Sequence, residues 1–481
     1  MLKPLALLEV STASTSGTVT CSRRKRAAAL HTDDDDGIGA PMNMRTVPDG
    51  APHPQSAPQA AVPADDVEIA RKRVQRRVMG IVFLTLFLDL LGFGVILPNQ
   101  PFYAESFGAS ATQVTLIGAV YSLMQFVFAP LWGRLSDRIG RRPVVLISIA
   151  FACTGWLVLG FAYALWMFLL YRAVAGFGNA NLGTVQAIVA DITRPDERAK
   201  GMGLVGAAFG MGFLFGPVLG GYFGAAFGPA VPAFIAAGLA ALNWVLALAL
   251  LPETRKPGVV VVGAHAPRRS LFPFDAMREA ARIDGVLALL VMGFVFTFGF
   301  SLMESGLALF VERQFVDVDI AGTEAGLKMA TRLATAVFFT VGVTAVIVQG
   351  GLIRPLQRRF GEKKLLLAGA LFIMLGFVGV ATLPFSSLAF AAMFPVTIVI
   401  AVGSGLFSPS SSSLLSRSVD EHRQGSVLGV GQATSALGRI CGPGLSGLLL
   451  DQHRSLPFAA GALLLGIAAL LTMRVKSPAV H

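Results

Sequence analysis

The chain is 481 residues long, 54% of them apolar and 14% charged, with a formal net charge of +11. Soluble domains carry about 25% charged residues, which argues against a single water-exposed globule, whereas one crossing of a ~30 Å hydrocarbon core per ~20 apolar residues gives the chain beyond its polar N-terminal tail about a dozen helices. The positive balance calls for no nucleic-acid partner, because membrane proteins concentrate Lys and Arg in the loops that stay inside.

Residues 1 to 77 mix Ser, Thr, Pro and Ala with a basic run (Arg23 to Arg26) and an acidic one (Asp33 to Asp36), a composition that buries too little apolar surface to fold alone. The expectation is a disordered extension, or an upstream start with initiation near Met42 or Met44; a transit peptide or regulatory arm is the alternative. The run RKRVQRR from Arg71 reads as the flank of a first span. Apolar runs between charges and Pro/Gly breaks then place spans near 79–97, 113–132, 143–162, 165–190, 202–223 and 229–251, a first bundle over 78–251. A Pro-rich, basic loop follows at 252–284, and a second bundle over 285–474 holds spans near 285–310, 328–352, 365–384, 387–414, 425–449 and 456–473, with a short tail at 475–481.

With the N-terminus inside, the segments on that side carry 27 Lys plus Arg, against four (Arg313, Lys328, Arg332 and Arg454) on the other. That imbalance places both termini in the cytoplasm. Internal similarity divides the chain in the same place as the central loop: GRLSDRIGRRPVVL has a weaker partner in RPLQRRFGEKKLLL, DERAKG in DEHRQG, and GPVLGG in GPGLSG. Parallel halves of this kind suit a rocking transporter with its substrate site between the halves near mid-membrane. The expected fold is an all-α polytopic membrane protein, twelve transmembrane helices in two pseudo-symmetric six-helix bundles.

Cys21, Cys153 and Cys441 form an odd set, and the histidines (His31, His53, His265, His422, His453 and His481) lie in the tail, in loops or at the terminus. No disulfide framework, Cys/His metal site or Ser-His-Asp arrangement is available, so no catalytic residues and no metal are expected. No GxxxxGK[ST] phosphate loop occurs, so no nucleotide is expected either.

Several motifs then carry a resemblance. LDLLGFGVILPNQP, with Asp89, Gly92, Gly94, Pro98 and Pro101, resembles the first-helix signature of the major facilitator superfamily, in particular its drug:proton antiporter branch, which includes tetracycline exporters. Tyr121, Met124, Gln125, Ala129 and Pro130 resemble its second helix, and GRLSDRIGRR (Gly133 to Arg142) its signature loop. Arg172 with Gly176 resembles the fourth-helix signature, GFLFGPVLGG (Gly212 to Gly221) the antiporter signature, and LPETR (Leu251 to Arg255) the sixth-helix exit. The resemblance runs from Asp89 to the last span. It implies a monomeric, multi-pass protein of a bacterial inner membrane that exports an apolar or amphipathic drug or metabolite in exchange for protons, by alternating access, with the proton gradient in place of a cofactor. Two features depart from tetracycline exporters: Gly155 stands where they carry a second intramembrane acid, and the eighth span has no histidine. Both argue against tetracycline as the cargo. A proton symporter or facilitator for a small nutrient is one alternative; a transporter-like scaffold or receptor that moves nothing is another.

A carboxylate in hydrocarbon is costly unless it faces water or a partner. Asp89, midway along the first span, is therefore the leading proton-coupling residue, with a structural hydrogen bond as the alternative. Glu304 in the seventh span suits a second proton site, a counter-charge for a cationic drug, or a lining of the outer mouth. Arg172, the one cation of the first six spans, must pair or face water, and suits either coupling to a nearby acid or a fixed ion pair. Asp137, with Gly133, Arg138, Gly140, Arg141 and Arg142 around it, suits a latch against the positive end of a helix from the other half. Gly212, Gly216 and Gly220 recur at four-residue spacing, with Gly221 and Pro217 beside them; they flatten a helix face for close packing, and Pro217 can bend it. Tyr121, Gln125, Asn179, Asn181, Gln186, Phe300, Gln432 and Arg439 are the expected cavity-lining residues for a small-molecule substrate.

Overall fold

The computed structural model describes residues 64–192, 198–254, 274–283, 285–317, 319–320, 323–384, 389–419 and 421–474. In chain order the first half holds α1 (Ala64–Ile96), α2 (Gln100–Glu105), α3 (Ala111–Ile139), α4 (Arg141–Gly160), α5 (Leu165–Gly178), α6 (Leu182–Ile192), α7 (Arg198–Phe227) and α8 (Val231–Leu250). After α9 (Phe274–Ala281), the second half holds α10 (Val286–Phe315), α11 (Glu324–Ile347), α12 (Ile353–Phe360), α13 (Glu362–Ala381), α14 (Ala389–Arg417), α15 (Glu421–Gln452) and α16 (Leu456–Arg474).

Among the described residues, ten helices are long and apolar enough to cross a membrane unaided. Two more expected spans are less regular. The fourth is divided into α5 and α6 by a 3-10 turn at Asn179–Asn181, and α15, the eleventh, is long enough but diluted in apolar character by glycine, serine and Arg439. The architecture is the expected one of twelve crossings.

Two boundaries differ from expectation. Helix α1 begins at Ala64, within the stretch assigned to an unfolded extension, because Arg, Lys, Gln and Glu are good helix formers and nothing between Ala64 and Val78 breaks the helix. Residues 1–63 and the 475–481 tail lie outside the described residues. The segment expected to be a loop at 133–142 is likewise helical: α3 runs on to Ile139, and the whole reversal falls on Gly140, at φ +107° and ψ 162°. Only glycine enters that region without strain. Its repeat partner Gly361, between α12 and α13, adopts the same geometry at φ +77° and ψ 159°, so the internal repeat extends to the backbone of the turns.

Local sequence sets the other starts. Ser110 caps α3 in a reciprocal capping box with Gln113, and Thr323 accepts from the Gly326 N–H at the start of α11; each satisfies donors a helix N-terminus leaves free. Phe168, Tyr171, Trp156 and Ile96 are buried in the first half, while Phe310, Phe377, Phe407 and Phe458 fill the second.

The halves meet along two seams, α7 on α11 and α3 on α15. Without a hydrophobic drive between helices in lipid, such seams rely on close packing and small residues. Gly342 lies against the Phe213 and Leu214 backbone, where a Cβ would sit 2.9 Å from Leu214 Cα, and Gly447 leaves room for Thr112 and Thr115. At the end of the bundle away from Gly140 and Gly361, the Thr112 hydroxyl and N–H both donate to Asp451 Oδ2, at 2.6 and 3.3 Å. The halves are thereby tied together at that end.

Candidate functional site

The space between the halves gathers charges of both signs. Asp89 projects from α1, half-buried, and makes no hydrogen bond or ion pair among the described residues. Tyr121 on α3 lies within electrostatic reach of Asp89, of Arg172 on α5 and of Arg439 on α15. Glu304 on α10 lies within electrostatic reach of Arg439 and of Arg172. The structure therefore brings Asp89, Tyr121, Arg172, Glu304 and Arg439 into one constellation drawn from both halves.

Arg172 is 7% exposed. Its guanidinium donates to Gln100 Oε1 at the start of α2 and sits over three rings, 5.2 Å from the Tyr171 centroid, 5.4 Å from Tyr121 and 6.0 Å from Phe93. Such contacts stabilise a desolvated guanidinium by a few kcal/mol at most, and among the described residues Arg172 Nε has no hydrogen-bond partner. Gln100, Phe93 and Phe213, the last 5.8 Å from Phe93, belong to the site although spacing in the sequence gave no sign of them. Gln100 stands inside the quoted LPNQP run, but its partner lies on a different helix.

The break between α5 and α6 is anchored from α3. The last carbonyls of a helix lack intrahelical donors; here Trp132 Nε1 donates to Phe177 O at 2.6 Å and Gln125 Nε2 to Asn179 O at 3.2 Å. Gln125 also donates to the Tyr121 hydroxyl at 3.1 Å. Tyr121, Gln125 and Asn179 thus form one polar cluster at the constellation's edge. Phe300 instead stacks on Phe296 and packs with the core of the second half, and Gln432 is exposed. The side chains of Asn181 and Gln186 lie outside the described residues. Gly155 is wedged against α5, with room for no more than a methyl: a Cβ would meet Ala175 Cβ at 3.3 Å and Tyr171 O at 3.4 Å.

The antiporter-signature glycines face α1. A Cβ on Gly212 would strike Leu90 and Leu91, one on Gly216 would strike Gly94, and one on Gly220 would strike the Val95 carbonyl. Asn99, 1% exposed, closes this seam by donating from Nδ2 to Gly220 O at 2.7 Å. Gly221 turns the other way, onto Thr335 of the second half. Pro217 is buried beside them, within α7.

At the basic end, Arg141 ties the rim of the first half together: Nη1 lies 2.6 Å from Asp137 Oδ1 and donates to Ser136 Oγ at 2.7 Å, and Nε lies 3.3 Å from Asp191. Glu253, after α8, accepts from the N–H groups of Arg141 and Arg142 at 3.0 and 3.1 Å, so a carboxylate from a distant segment caps α4. A Cβ at Gly140 would collide with that carboxylate, a second reason for glycine there. The Asp137 side chain is 61% exposed and, among the described residues, pairs with Arg141; an ion pair this open contributes about 0–1 kcal/mol. Among the described residues no atom lies within 4 Å of a Cβ at Gly133, and Arg138 is exposed. Among the described residues, then, Asp137 has no partner in the second half.

Comparison with known proteins matches this arrangement to one family. The family model described as Major Facilitator Superfamily matches residues 82–443 and 317–481. Among curated relatives, the class C tetracycline resistance protein of Escherichia coli is 33% identical over 76% of this chain and 87% of that protein, and multidrug resistance protein 2 of Bacillus subtilis is 28% identical over 83% of this chain and 95% of its own length. Among solved structures, the human organic anion transporter MFSD10 superposes with a TM-score of 0.62 at 25% identity, covering 83% of this chain and 99% of that one. A mutant form of the nucleoside transporter NupG, at 14% identity and a TM-score of 0.69 over 83% of this chain and 99% of that one, shares the fold. The chain belongs to the major facilitator superfamily and is a membrane transporter with drug-exporter relatives, not an enzyme.

Proposed function

We propose that the protein exports a hydrophobic or amphipathic small molecule in exchange for protons by alternating access, as a multi-pass protein of a bacterial inner membrane with the basic end and both termini in the cytoplasm. The observation that carries this reading is the constellation between the halves, in which Asp89 makes no ion pair among the described residues while Glu304 lies in the field of Arg439 and Arg172. A carboxylate without a salt bridge in a cleft of low dielectric gains most from taking a proton, or from a cationic group on the cargo. Proton and cargo then compete for one acid, and competition of that kind couples them in opposite directions. The relatives named for tetracycline and multidrug resistance support export.

With the halves tied at the end away from the basic loops, this conformation is the inward-facing one, and Asp137 waits at the other rim. Asp137 latches the outward-facing state when α15 swings over α3 and brings the positive end of its dipole to the carboxylate. Glycine at 133 leaves the open surface that such an approach requires.

One observation favours a second reading. Arg172 is buried with a neutral partner and an unsatisfied Nε, which suits an anionic cargo, and the structural neighbour MFSD10 is named an organic anion transporter. An anion and a proton assist each other's binding instead of competing, so that cargo would travel with protons. Reconstituted protein distinguishes the two: adding cargo to vesicles carrying a pH gradient makes protons flow against the cargo in the first case and with it in the second.

A further inference from the structure

Helix α11, a wide π turn at Val348–Leu352 and α12 run on as one helix from Glu324 to Phe360. Its 21 residues from Leu333 to Ile353 carry no charge, and at about 1.5 Å per residue they cover about 31 Å, the thickness of the hydrocarbon core. Helix α12 therefore stands at the depth of the lipid headgroups, with Arg354, Arg358 and Arg359 exposed. We propose that α12 binds the headgroup of an anionic phospholipid, whose acyl chains lie along the exposed side of α11.

The internal repeat supplies the reason. In the first half every arginine of the Gly140 turn is engaged. Arg141 holds Asp137, Asp191 and Ser136, Arg142 donates to Leu248 O at 2.6 Å, and Arg134 and Arg138 have neighbours of their own. In the matching turn, Arg354 stands in the register of Gly133, Arg358 in that of Asp137 and Glu362 in that of Arg141. The acid has become a cation, and Glu362 is taken up by Ser413, whose hydroxyl donates to it, and by Arg417 at 3.4 Å. Among the described residues, Arg354, Arg358 and Lys364 make no hydrogen bond or ion pair, and Arg359 lies over the Phe360 ring, 5.5 Å from its centroid. Topology calls for cations at this end. It does not call for leaving them unpaired where the matching turn engages its own.

The surroundings select a lipid over a soluble anion. Ile347 is 55% exposed, Leu352 47% and Phe360 45%. Ile347, Gly351, Pro355 and then Arg358 and Arg359 follow one another at three- to four-residue spacing, and all are exposed, so an apolar stripe leads along one face of the helix to the cations. Among the described residues no atom lies within 4 Å of a Cβ at Gly350 or Gly351, which leaves a notch just below the headgroup level. A phosphodiester accepts from guanidinium groups in charge-assisted hydrogen bonds, and Arg354 and Arg358 lie one turn apart to supply them. A zwitterionic headgroup offsets that attraction with its own ammonium.

The test is native mass spectrometry of the full-length protein released from detergent, with dioleoylphosphatidylglycerol or dioleoylphosphatidylcholine added in turn. The parent should retain phosphatidylglycerol in preference to phosphatidylcholine. Arg358→Gln combined with Arg359→Gln should weaken phosphatidylglycerol binding about tenfold or more, since each surface cation contributes roughly a fivefold factor. Arg358→Lys combined with Arg359→Lys should keep most of the binding, which separates lost charge from a damaged fold. Arg278→Gln combined with Arg282→Gln removes two exposed cations on and just after α9, at the same end of the bundle, and should leave binding within about twofold of the parent. Equal retention of the two lipids by the parent, an equal loss in the α9 variant, or displacement of the lipid by an equal concentration of glycerol 3-phosphate would overturn the site. The readout requires no transport, so the result is independent of cargo and of the direction in which it moves.

Discussion

Gly220→Ala tests the α1–α7 seam on which the first half of the site is built. The new methyl has no free space. Its carbon would fall on the Val95 carbonyl and lie 2.9 Å from Val95 Cα, where carbon atoms prefer about 3.5–4.0 Å. The obstruction is backbone, so rotamer changes give no relief and the helices must separate by roughly 1 Å. Overpacking of this kind costs about 1–3 kcal/mol. The same separation stretches the buried bond from Asn99 Nδ2 to Gly220 O, now 2.7 Å, for about 1 kcal/mol more. The expected total is about 2–4 kcal/mol, read as a fall of several degrees in the apparent melting temperature of detergent-solubilised protein followed by size-exclusion chromatography. Gly118→Ala on α3 is the control, since nothing lies within 4 Å of its Cβ; it should be neutral or slightly stabilising. Equal melting temperatures for Gly220→Ala and the parent, or an equal fall for Gly118→Ala, would refute the reasoning.

Two further outcomes follow from the basic rim. Glu253→Ala removes the carboxylate that caps α4 and should cost about 0.5–2 kcal/mol, with Glu253→Gln losing less because its amide oxygen still accepts; equal melting temperatures for all three proteins would mean that water replaces the cap. Asp137→Asn should lower the maximal rate of transport several-fold while leaving the half-saturating cargo concentration nearly unchanged, because the residue latches a state and does not touch cargo. A rise in the half-saturating concentration at an unchanged maximal rate would place Asp137 in cargo binding instead.

What the sequence disclosed, and what it hid, divides along physical lines. Span positions were legible because lipid forces long apolar runs, and the one-residue turns at Gly140 and Gly361 were marked by glycines in a repeated motif. The helical continuation from Gly133 to Ile139 was not, since charge invites a loop reading while Arg and Leu are competent helix formers. The interruption at Asn179 depends on Trp132 and Gln125 reaching across from α3 to satisfy its carbonyls, a tertiary cause with no local signature. Asp89, Arg172, Glu304 and Arg439 stood out as charges in apolar runs. Gln100, the partner of Arg172, did not: it sits in a polar stretch between spans, and what singles it out is the residue it meets 72 positions away.

The most direct test of the central claim is cargo-induced proton movement through Asp89. Inverted vesicles are loaded with a pH gradient, a panel of amphipathic cations and anions is added in turn, and lumenal pH is followed for the parent protein and for Asp89→Asn, with membrane insertion checked in parallel. Exchange predicts that at least one compound dissipates the gradient with the parent protein and that inserted Asp89→Asn does not respond. Gradient-driven export at the parental rate by Asp89→Asn would contradict the account.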